Sequence, residues 1–355
     1  MRTGTRAALV VATSMIAVLV AAGSALAAPN TATVAVSHTP MAPGSSQATT
    51  IDITVPAATD PIAAITIYVP TGYTLNLSAA PNTTIGSVTA AALAHDAGLT
   101  LPLVGNVVTD SPAAHTTDAC TPGVVHAAVW NLDLSVGTAT LVLPFYVDPT
   151  SGAEQALGAY KLQICLPPWD TPVGSPGRSY EGAQLLQASF TVKGIFTTPS
   201  TGGVEVWKSL FTPYTPTTGV PNLAGTFEAR SLVALPLSST VKVATTTGGR
   251  YKLSGRLTEA GLPVAGAAVT VYRGTTAKKL SKVASATTTS GSWAVTGKLV
   301  KKKTLYFKAS ATVAARDDTA LGCQNPLPAT IAPAGCVSAT LSPWSVSTVL
   351  VHLKP

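Results

Sequence analysis

Charged side chains are scarce in this sequence, and over one long stretch the basic ones are missing altogether. Charged residues make up 10% of the 355-residue chain, against about 25% in an average soluble protein. Apolar residues make up 46%, so the chain can bury the cores of two or three domains. General disorder is excluded, because disorder accompanies low hydrophobicity and high net charge.

The missing basic residues divide the chain into two parts of opposite charge. No Lys or Arg occurs between Ala28 and Tyr160. Residues 28–245 hold six basic and 12 acidic residues, a net charge of −6. From residue 246 onward, 14 Lys or Arg face three acids, a net charge of +11. This asymmetry predicts a domain boundary at residues 246/247.

Recognisable catalytic and metal-binding motifs are also missing. The chain has no G-x-S-x-G, H-E-x-x-H or C-x-x-C pattern, which counts against a nucleophile-elbow hydrolase, a zinc protease and a zinc ribbon. Six residues in one half lie close enough in sequence to suggest a metal site: His95, Asp96, Asp110, His115, Asp118 and His126. Their spacing matches no metal motif, so solvated side chains are the favoured interpretation. We predict no catalytic residue, no metal ligand and no cofactor.

Cysteine is rare, with four residues in the chain. In an exported protein four cysteines indicate two disulfides, and three pairings are possible. Sequence separation favours Cys120 with Cys165 and Cys323 with Cys336, each pair within one predicted domain. The alternative, a four-thiolate metal site, is disfavoured by the missing C-x-x-C pairs.

The first 27 residues have the pattern of a cleaved export signal. Arg2 and Arg6 precede an apolar run from Ala7 to Ala22, and Ala25-Leu26-Ala27 forms an A-x-A cleavage site. The alternative is a retained N-terminal membrane anchor. No second run of about 18 apolar residues follows, so we expect no transmembrane segment in the mature chain. The predicted location is extracellular or at the cell surface.

The remaining chain has the alternation typical of β-strands. Runs such as Ile51-Asp52-Ile53-Thr54-Val55 alternate with a period of two, and Pro and Gly interrupt them at short intervals. Residues 88–99 fit either a short helix or a strand. The predicted class is all-β, with two or three antiparallel β-sandwich domains. Residues 28–246 form the disulfide-tied first part, which either continues through residues 195–246 or splits near residue 195.

Residues 247–355 are the predicted basic domain, and part of them resembles a known family. The segments L-S-G-R-L-T-E-A-G-L-P-V-A-G-A-A-V-T-V-Y and A-T-T-T-S-G-S-W-A-V lie within residues 251–311. They resemble bacterial immunoglobulin-like modules of the carboxypeptidase-regulatory or transthyretin-like kind. The resemblance implies a β-sandwich. It implies little about function, since such modules serve as spacers and adhesive units.

The strands ending in Val55-Pro56 and Val69-Pro70-Thr71-Gly72-Tyr73 resemble bacterial exported sandwich domains of the YcnI type. Those domains bind copper through a histidine at the mature N-terminus. The predicted mature end here is Ala28 or Pro29, so the resemblance implies no copper site in this chain.

Two sets of residues are candidate contacts for a ligand. Among the aromatic residues Trp130, Trp169, Trp207 and Tyr214, core packing is favoured, and Trp169 in Pro167-Pro168-Trp169-Asp170 is the best candidate for an exposed ligand contact. The basic set consists of Lys278, Lys279, Lys282, Lys298, Lys301, Lys302 and Lys303. A solvated, edge-protecting role is favoured for these lysines. The functional alternative is attachment to anionic cell-envelope polymers.

These observations predict a secreted, non-enzymatic β-sandwich protein that acts as an envelope-associated binding, structural or adhesive module. Its partners would be anionic envelope polymers or another surface protein, and not nucleic acid. The alternative is an exported carbohydrate-binding protein or hydrolase with its site in the N-terminal domain. The two hypotheses differ in whether acids and a histidine, or exposed aromatics, converge in one cleft of residues 28–245.

Overall fold

The computed structural model describes residues 31–39, 41–300, 302–318, 339–341 and 343–354. The predicted all-β class is confirmed: the described residues form strands joined by turns and four short 3-10 helices. The 3-10 helices are Pro112–His115, Gly152–Ala156, Tyr180–Gly182 and Leu223–Gly225. No helix in the described ranges is long and apolar enough to cross a membrane.

The strands are numbered in chain order. The first thirteen are Thr33–Thr39 (β1), Ser46–Thr54 (β2), Ile62–Val69 (β3), Thr74–Leu75 (β4), Thr84–Ala94 (β5), Leu99–Asp110 (β6), Ala128–Val136 (β7), Ala139–Pro149 (β8), Tyr160–Cys165 (β9), Ala183–Thr197 (β10), Gly203–Thr215 (β11), Val220–Pro221 (β12) and Phe227–Leu235 (β13). The next twelve are Leu237–Ser239 (β14), Lys242–Thr246 (β15), Arg250–Glu259 (β16), Leu262–Pro263 (β17), Ala268–Thr276 (β18), Lys279–Thr287 (β19), Ser292–Lys298 (β20), Leu305–Val313 (β21), Arg316–Asp318 (β22), Ala339–Leu341 (β23), Trp344–Ser347 (β24) and Val351–Leu353 (β25).

Strands β1–β13 belong to one large sheet. Its order is β1-β2-β10-β5-β6-β7-β8-β9-β3-β11-β13, and the pairs within this path are antiparallel. Residues 88–99, for which a helix and a strand were both open, comprise the end of β5, the turn at residues 95–98 and the first residue of β6. Two partners, β10 and β6, flank β5, and this pairing decides in favour of the strand.

The large sheet curls so that its first strand approaches β13. The backbone N–H of Val36 in β1 donates a hydrogen bond of 2.7 Å to the hydroxyl of Ser231 in β13. The curled sheet encloses a core in which Trp130, Phe145 and Trp207 are almost completely buried. The alternating pattern of the strands therefore places one face of each inside.

A second core lies between two smaller sheets in the C-terminal half. One sheet has the order β14-β16-β15, with β17 and β20 also paired to β16. The other has the order β19-β18-β21-β24, with β25 also paired to β21. Tyr251, Trp293, Phe307 and Trp344 are buried in the core of this C-terminal sandwich.

The strand pairing bears on where the two halves divide. Strands β14 and β15 precede the predicted boundary at residue 246, yet both pair with β16. We therefore propose a boundary near Pro236, which directly follows the last strand of the large-sheet core. The possible split near residue 195 stays a prediction, and β10, which spans that position, is continuous.

The halves are also connected by β22 and β23. Strand β23 pairs in parallel with β13 of the large sheet, and β22 pairs with β23. Leu341 of β23 packs on Leu232 of β13. Cys323 and Cys336, for which a disulfide is predicted, lie outside the described residues. The other predicted disulfide, Cys120–Cys165, is present and connects β9 to the loop before β7.

A buried histidine makes the stability of the large sheet dependent on pH. The ring of His38 is hydrogen-bonded to Thr49 Oγ1 and to the Tyr73 hydroxyl, both at 2.9 Å. Burial lowers the pKa of His38 from 6.5 to about 4. The native state therefore takes up its proton at a lower pH than the unfolded chain does.

We expect the free energy of unfolding to fall as the pH falls from 6.5 towards 4, because only the unfolded chain binds a proton at His38 in this range. The full loss from this group is about 3 kcal/mol. Denaturant unfolding at several pH values should show that His38→Gln removes this contribution. Replacement of the exposed His352 by Gln is the control; an unchanged pH profile in His38→Gln would refute the assignment.

Candidate functional site

An apolar pocket opens at one end of the large sheet. Its volume is about 430 Å³, within the range of about 300–1,000 Å³ that is usual for small-molecule sites. Four neighbouring strands form its wall, and the irregular segment 167–182, here called the capping loop, borders it. The wall residues are Ala90, Ala92, Leu101, Leu103, Leu134, Val136, Ala139, Thr140, Leu141 and Leu143. The other lining residues are Val55, Ile62, Leu166, Pro167, Trp169, Ser179, Tyr180, Ala183, Gln184 and Leu185.

The cross-strand register explains how the pocket forms. Ala90 of β5 lies opposite Leu103 of β6, and Ala92 lies opposite Leu101. Because side chains alternate between the two faces of a strand, Ala90 and Ala92 share one face and present only methyl groups there. A small residue beside each leucine leaves space that two large side chains would fill.

A bidentate ion pair holds the capping loop against the turn between β5 and β6. Nη1 and Nη2 of Arg178 each donate a hydrogen bond of 2.8 Å to a carboxylate oxygen of Asp96. Hydrogen bonding to Arg178 lowers the pKa of Asp96. The Arg178 Nε also donates to the backbone oxygen of Thr171, at 2.7 Å. One guanidinium therefore braces the loop internally and connects it to the sheet.

Trp169 extends this connection by stacking on His95. The two rings are nearly parallel, with centroids 3.8 Å apart. The Nε2 of His95 lies 2.8 Å from Oε1 of Gln184, a buried residue of β10 that lines the pocket. Trp169 is half-buried, so the residue predicted as an exposed ligand contact is a pocket-lining residue with one face against a histidine.

Glycine at position 182 lets the capping loop rejoin the sheet. Gly182 has a φ of +59°, and a Cβ there would lie 2.7 Å from Arg178 Nη2. A side chain at this position would be strained by its backbone and would also press on the guanidinium. A side chain at position 182 would therefore disturb the same ion pair that holds the loop.

The other aromatic candidates, Trp130, Trp207 and Tyr214, do not line the pocket with Trp169. Trp130 and Trp207 are 1% and 0% exposed, and Tyr214 is 9% exposed. Trp130 and Trp207 each lie edge-to-face with Phe196 inside the core. The favoured interpretation of these residues, core packing, agrees with their burial.

Three of the six residues considered for a metal site, Asp110, His115 and Asp118, form a hydrogen-bonded network. His115 Nδ1 lies 2.7 Å from Asp118 Oδ2, and its Nε2 lies 3.2 Å from Asp110 Oδ2. Burial alone would lower the pKa of His115, but the hydrogen bonds to Asp118 and Asp110 outweigh it and raise the pKa. Within the described ranges no group of three or more His, Cys, Asp or Glu could hold a metal ion.

A second histidine in this region has the hydrogen-bond order of a catalytic triad. Thr121 Oγ1 lies 2.9 Å from His126 Nε2, and His126 Nδ1 lies 2.8 Å from Asp148 Oδ2. The side chain of His126 is 1% exposed, and its ring stacks on Tyr146. A substrate cannot approach a hydroxyl and imidazole buried in this way, so we assign the trio a structural role beside the Cys120–Cys165 disulfide.

The described lysines of the basic set are exposed, and most lie at one end of the C-terminal sandwich. Lys278 and Lys279 lie at the turn after β18. Near this turn, Gly274 of β18 pairs with Tyr306, which is close to the start of β21. Lys302 and Lys303 precede β21, and Lys298 ends β20. Lys282 lies farther along β19, an edge strand. Lys301 lies outside the described residues.

The wall residues of the pocket are mostly apolar in the sequence, but an apolar run does not distinguish a pocket wall from a filled core. The pairing of Asp96 with Arg178 is likewise absent from any local pattern, since 82 positions separate them. The signal that could have pointed here is Trp169 itself, an aromatic residue in a segment rich in Pro and Gly.

Comparison with known proteins identifies no family for this chain. No family model matches it, and no curated protein matches it. Among solved structures, the full-length major pilin SpaD from Corynebacterium diphtheriae is similar over 79% of this chain, with 15% sequence identity and a TM-score of 0.25. The matched region spans 56% of the pilin chain. A TM-score this low does not establish a shared fold.

The ion pair predicts how the capping loop responds to a neutral substitution. In Asp96→Asn we expect faster amide hydrogen exchange at Ser179 and Gly182, because the loop loses its charged contact with the sheet. Glu181→Gln, an exposed change in the same loop, should leave exchange close to that of the parent. Equal exchange in Asp96→Asn and the parent would show that the ion pair does not hold the loop.

Proposed function

We propose that this chain is an exported, non-enzymatic binding protein of the cell envelope, and that its N-terminal half holds a small apolar ligand in the pocket beneath the capping loop. The observation that carries the proposal is the pocket wall, which consists almost entirely of aliphatic side chains drawn from four adjacent strands. An apolar pocket with a few polar groups is the usual form of a small-molecule site.

The chemistry of the lining supports binding over catalysis. Among the described residues that line the pocket there is no Asp, Glu, Lys, Arg, His or Cys. General acid–base and nucleophilic catalysis usually depend on such groups, placed within hydrogen-bond reach of the reacting atoms. The same lining disfavours the carbohydrate alternative, because sugar hydroxyls buried against Leu and Val would lose their hydrogen bonds to water.

The exposed lysines support attachment to the envelope as a second, separate activity. Lys278, Lys279, Lys298, Lys302 and Lys303 lie towards one end of a sandwich that belongs to the basic half of the chain. Several positive charges at one end create a field that attracts polyanions. The edge position of β19 also agrees with a role for its lysines in preventing pairing with other strands. Substitution of residues 301–303 tests whether the lysines attach the protein to the envelope or only protect the edge.

Pocket binding is tested by filling the pocket. An uncharged naphthylamine dye, whose fluorescence rises in apolar surroundings, should bind the parent chain and bind at least tenfold more weakly to Ala92→Phe, because the added ring occupies the space beside Leu101. Ala91→Phe is the matched control, since Ala91 lies on the opposite face of the same strand and is not among the lining residues.

Circular dichroism of both variants shows whether the fold is retained. Equal dye binding by Ala92→Phe and Ala91→Phe, in folded proteins, would place the dye elsewhere and remove the support for a pocket ligand. If Ala92→Phe does not fold, Ala90→Leu serves as the pocket-filling variant, because it adds fewer atoms to the pocket.

Envelope attachment is tested by changing charge in steps. Lys301, Lys302 and Lys303 are replaced together by Gln and, separately, by Glu, and binding to the producing cell's envelope fraction is measured at low and high salt. We expect binding to weaken in the order parent, Gln variant, Glu variant, with a smaller salt dependence at each step.

The control for position is Lys193→Glu, a charge reversal at an exposed lysine of the acidic half. It should leave attachment nearly unchanged. Undiminished binding by the triple Glu variant would refute electrostatic attachment through this turn.

A further inference from the structure

We propose that the pocket takes the single alkyl chain of an amphiphile whose head group is uncharged, such as a monoacylglycerol. This inference rests on the proposed binding function and names the ligand class. Three features support it: the composition of the wall, the occupied charges beside the capping loop, and the polar atoms among the lining residues.

The wall favours an alkyl chain over a flat ring system. On β5, β6, β7 and β8, the wall consists of Ala, Leu and Val side chains together with Thr140. The two aromatic residues of the lining, Trp169 and Tyr180, both belong to the capping loop. Aliphatic side chains offer contacts without a preferred stacking geometry, which suits a flexible methylene chain. The volume of about 430 Å³ lies near the lower end of the range for ligand sites, which indicates one chain.

The charged side chains of Arg178 and Asp96 at the capping loop are already paired with each other, which favours a ligand with an uncharged head group. Arg178 is the cation of the capping loop, and its guanidinium donates to both oxygens of Asp96 and to Thr171. No basic side chain lines the pocket among the described residues. A fatty-acid carboxylate drawn towards this lining would lose hydration without gaining an ion pair.

Polar atoms among the lining residues can receive a hydroxyl or ester group. Ser179 is 8% exposed and lines the pocket, and its hydroxyl has no hydrogen-bond partner within the described structure. Gln184 Nε2 makes only long hydrogen bonds of 3.4 Å, to the backbone oxygens of Ala57 and Thr59. A buried hydroxyl without a partner is uncommon in proteins. Rotation of the Ser179 side chain towards the pocket would let a ligand hydroxyl or ester oxygen satisfy it.

The test measures the affinity of the purified chain for monoacylglycerols of increasing chain length, by displacement of the naphthylamine dye below the critical micelle concentration. Each added methylene should lower the Kd about fourfold, as expected for burial of one CH₂. The gain should stop at the length that fills the pocket. The fatty acid of the same length, ionised at pH 8, should bind at least tenfold more weakly.

The head-group contact is tested with Ser179→Ala. Its affinity for the monoacylglycerol should be about two- to tenfold lower than that of the parent. Its affinity for an alkane of equal length should equal that of the parent. Ser175→Ala, in the same loop but outside the pocket lining, is the control and should change neither affinity.

The outcomes separate this inference from the proposed function. If Ala92→Phe blocks the dye but monoacylglycerols do not displace it from the parent, the pocket binds apolar ligands and the acyl-chain assignment is wrong. An affinity independent of chain length, or equal binding of the ionised fatty acid, also overturns the assignment. If the dye does not bind in the pocket at all, both proposals fall.

Discussion

A continuous ladder of backbone hydrogen bonds runs through the large sheet from β1 to β13, and the rest of the N-terminal half depends on its closure. Because the sheet curls, its edge strand β1 lies beside β13, where Val36 N–H donates to Ser231. Strand β23 adds to β13, so an edge that would otherwise be open is paired. Edge strands that are covered in this way are protected from pairing with other chains.

Curling of the sheet also determines where the pocket can be. Trp130, Phe145 and Trp207 fill the middle of the enclosed space. Towards one end, Ala90 and Ala92 contribute little volume, and the capping loop borders the space that remains. The loop has no regular ladder of its own, and is held by the Asp96–Arg178 pair, the stacking of Trp169 on His95, and a glycine at position 182. One ion pair of this half therefore positions a loop.

The two halves use charge differently. In the acidic half, Asp96, Glu154 and Glu228 are paired with basic residues, and Asp110 and Asp118 with His115. In the basic half, the described lysines of the candidate set are exposed. Charges paired within the fold stabilise local geometry, whereas unpaired surface charges of one sign create a field outside the protein. The apolar pocket is why we assign ligand binding to the first half, and the exposed lysines are why we assign attachment to the second.

The all-β class and the contrast in charge follow from the sequence by itself, because alternation and composition are local or additive properties. Cysteine spacing only favours Cys120–Cys165 among three possible pairings, and the structure shows this bond. Only the tertiary structure decides that β14 and β15 pair with β16, that residues 88–94 belong to a strand, and that Trp169 lies on His95 at a pocket. Each of these outcomes depends on partners distant in sequence, and an apolar strand carries the same pattern whether its inner face meets a filled core or an open space.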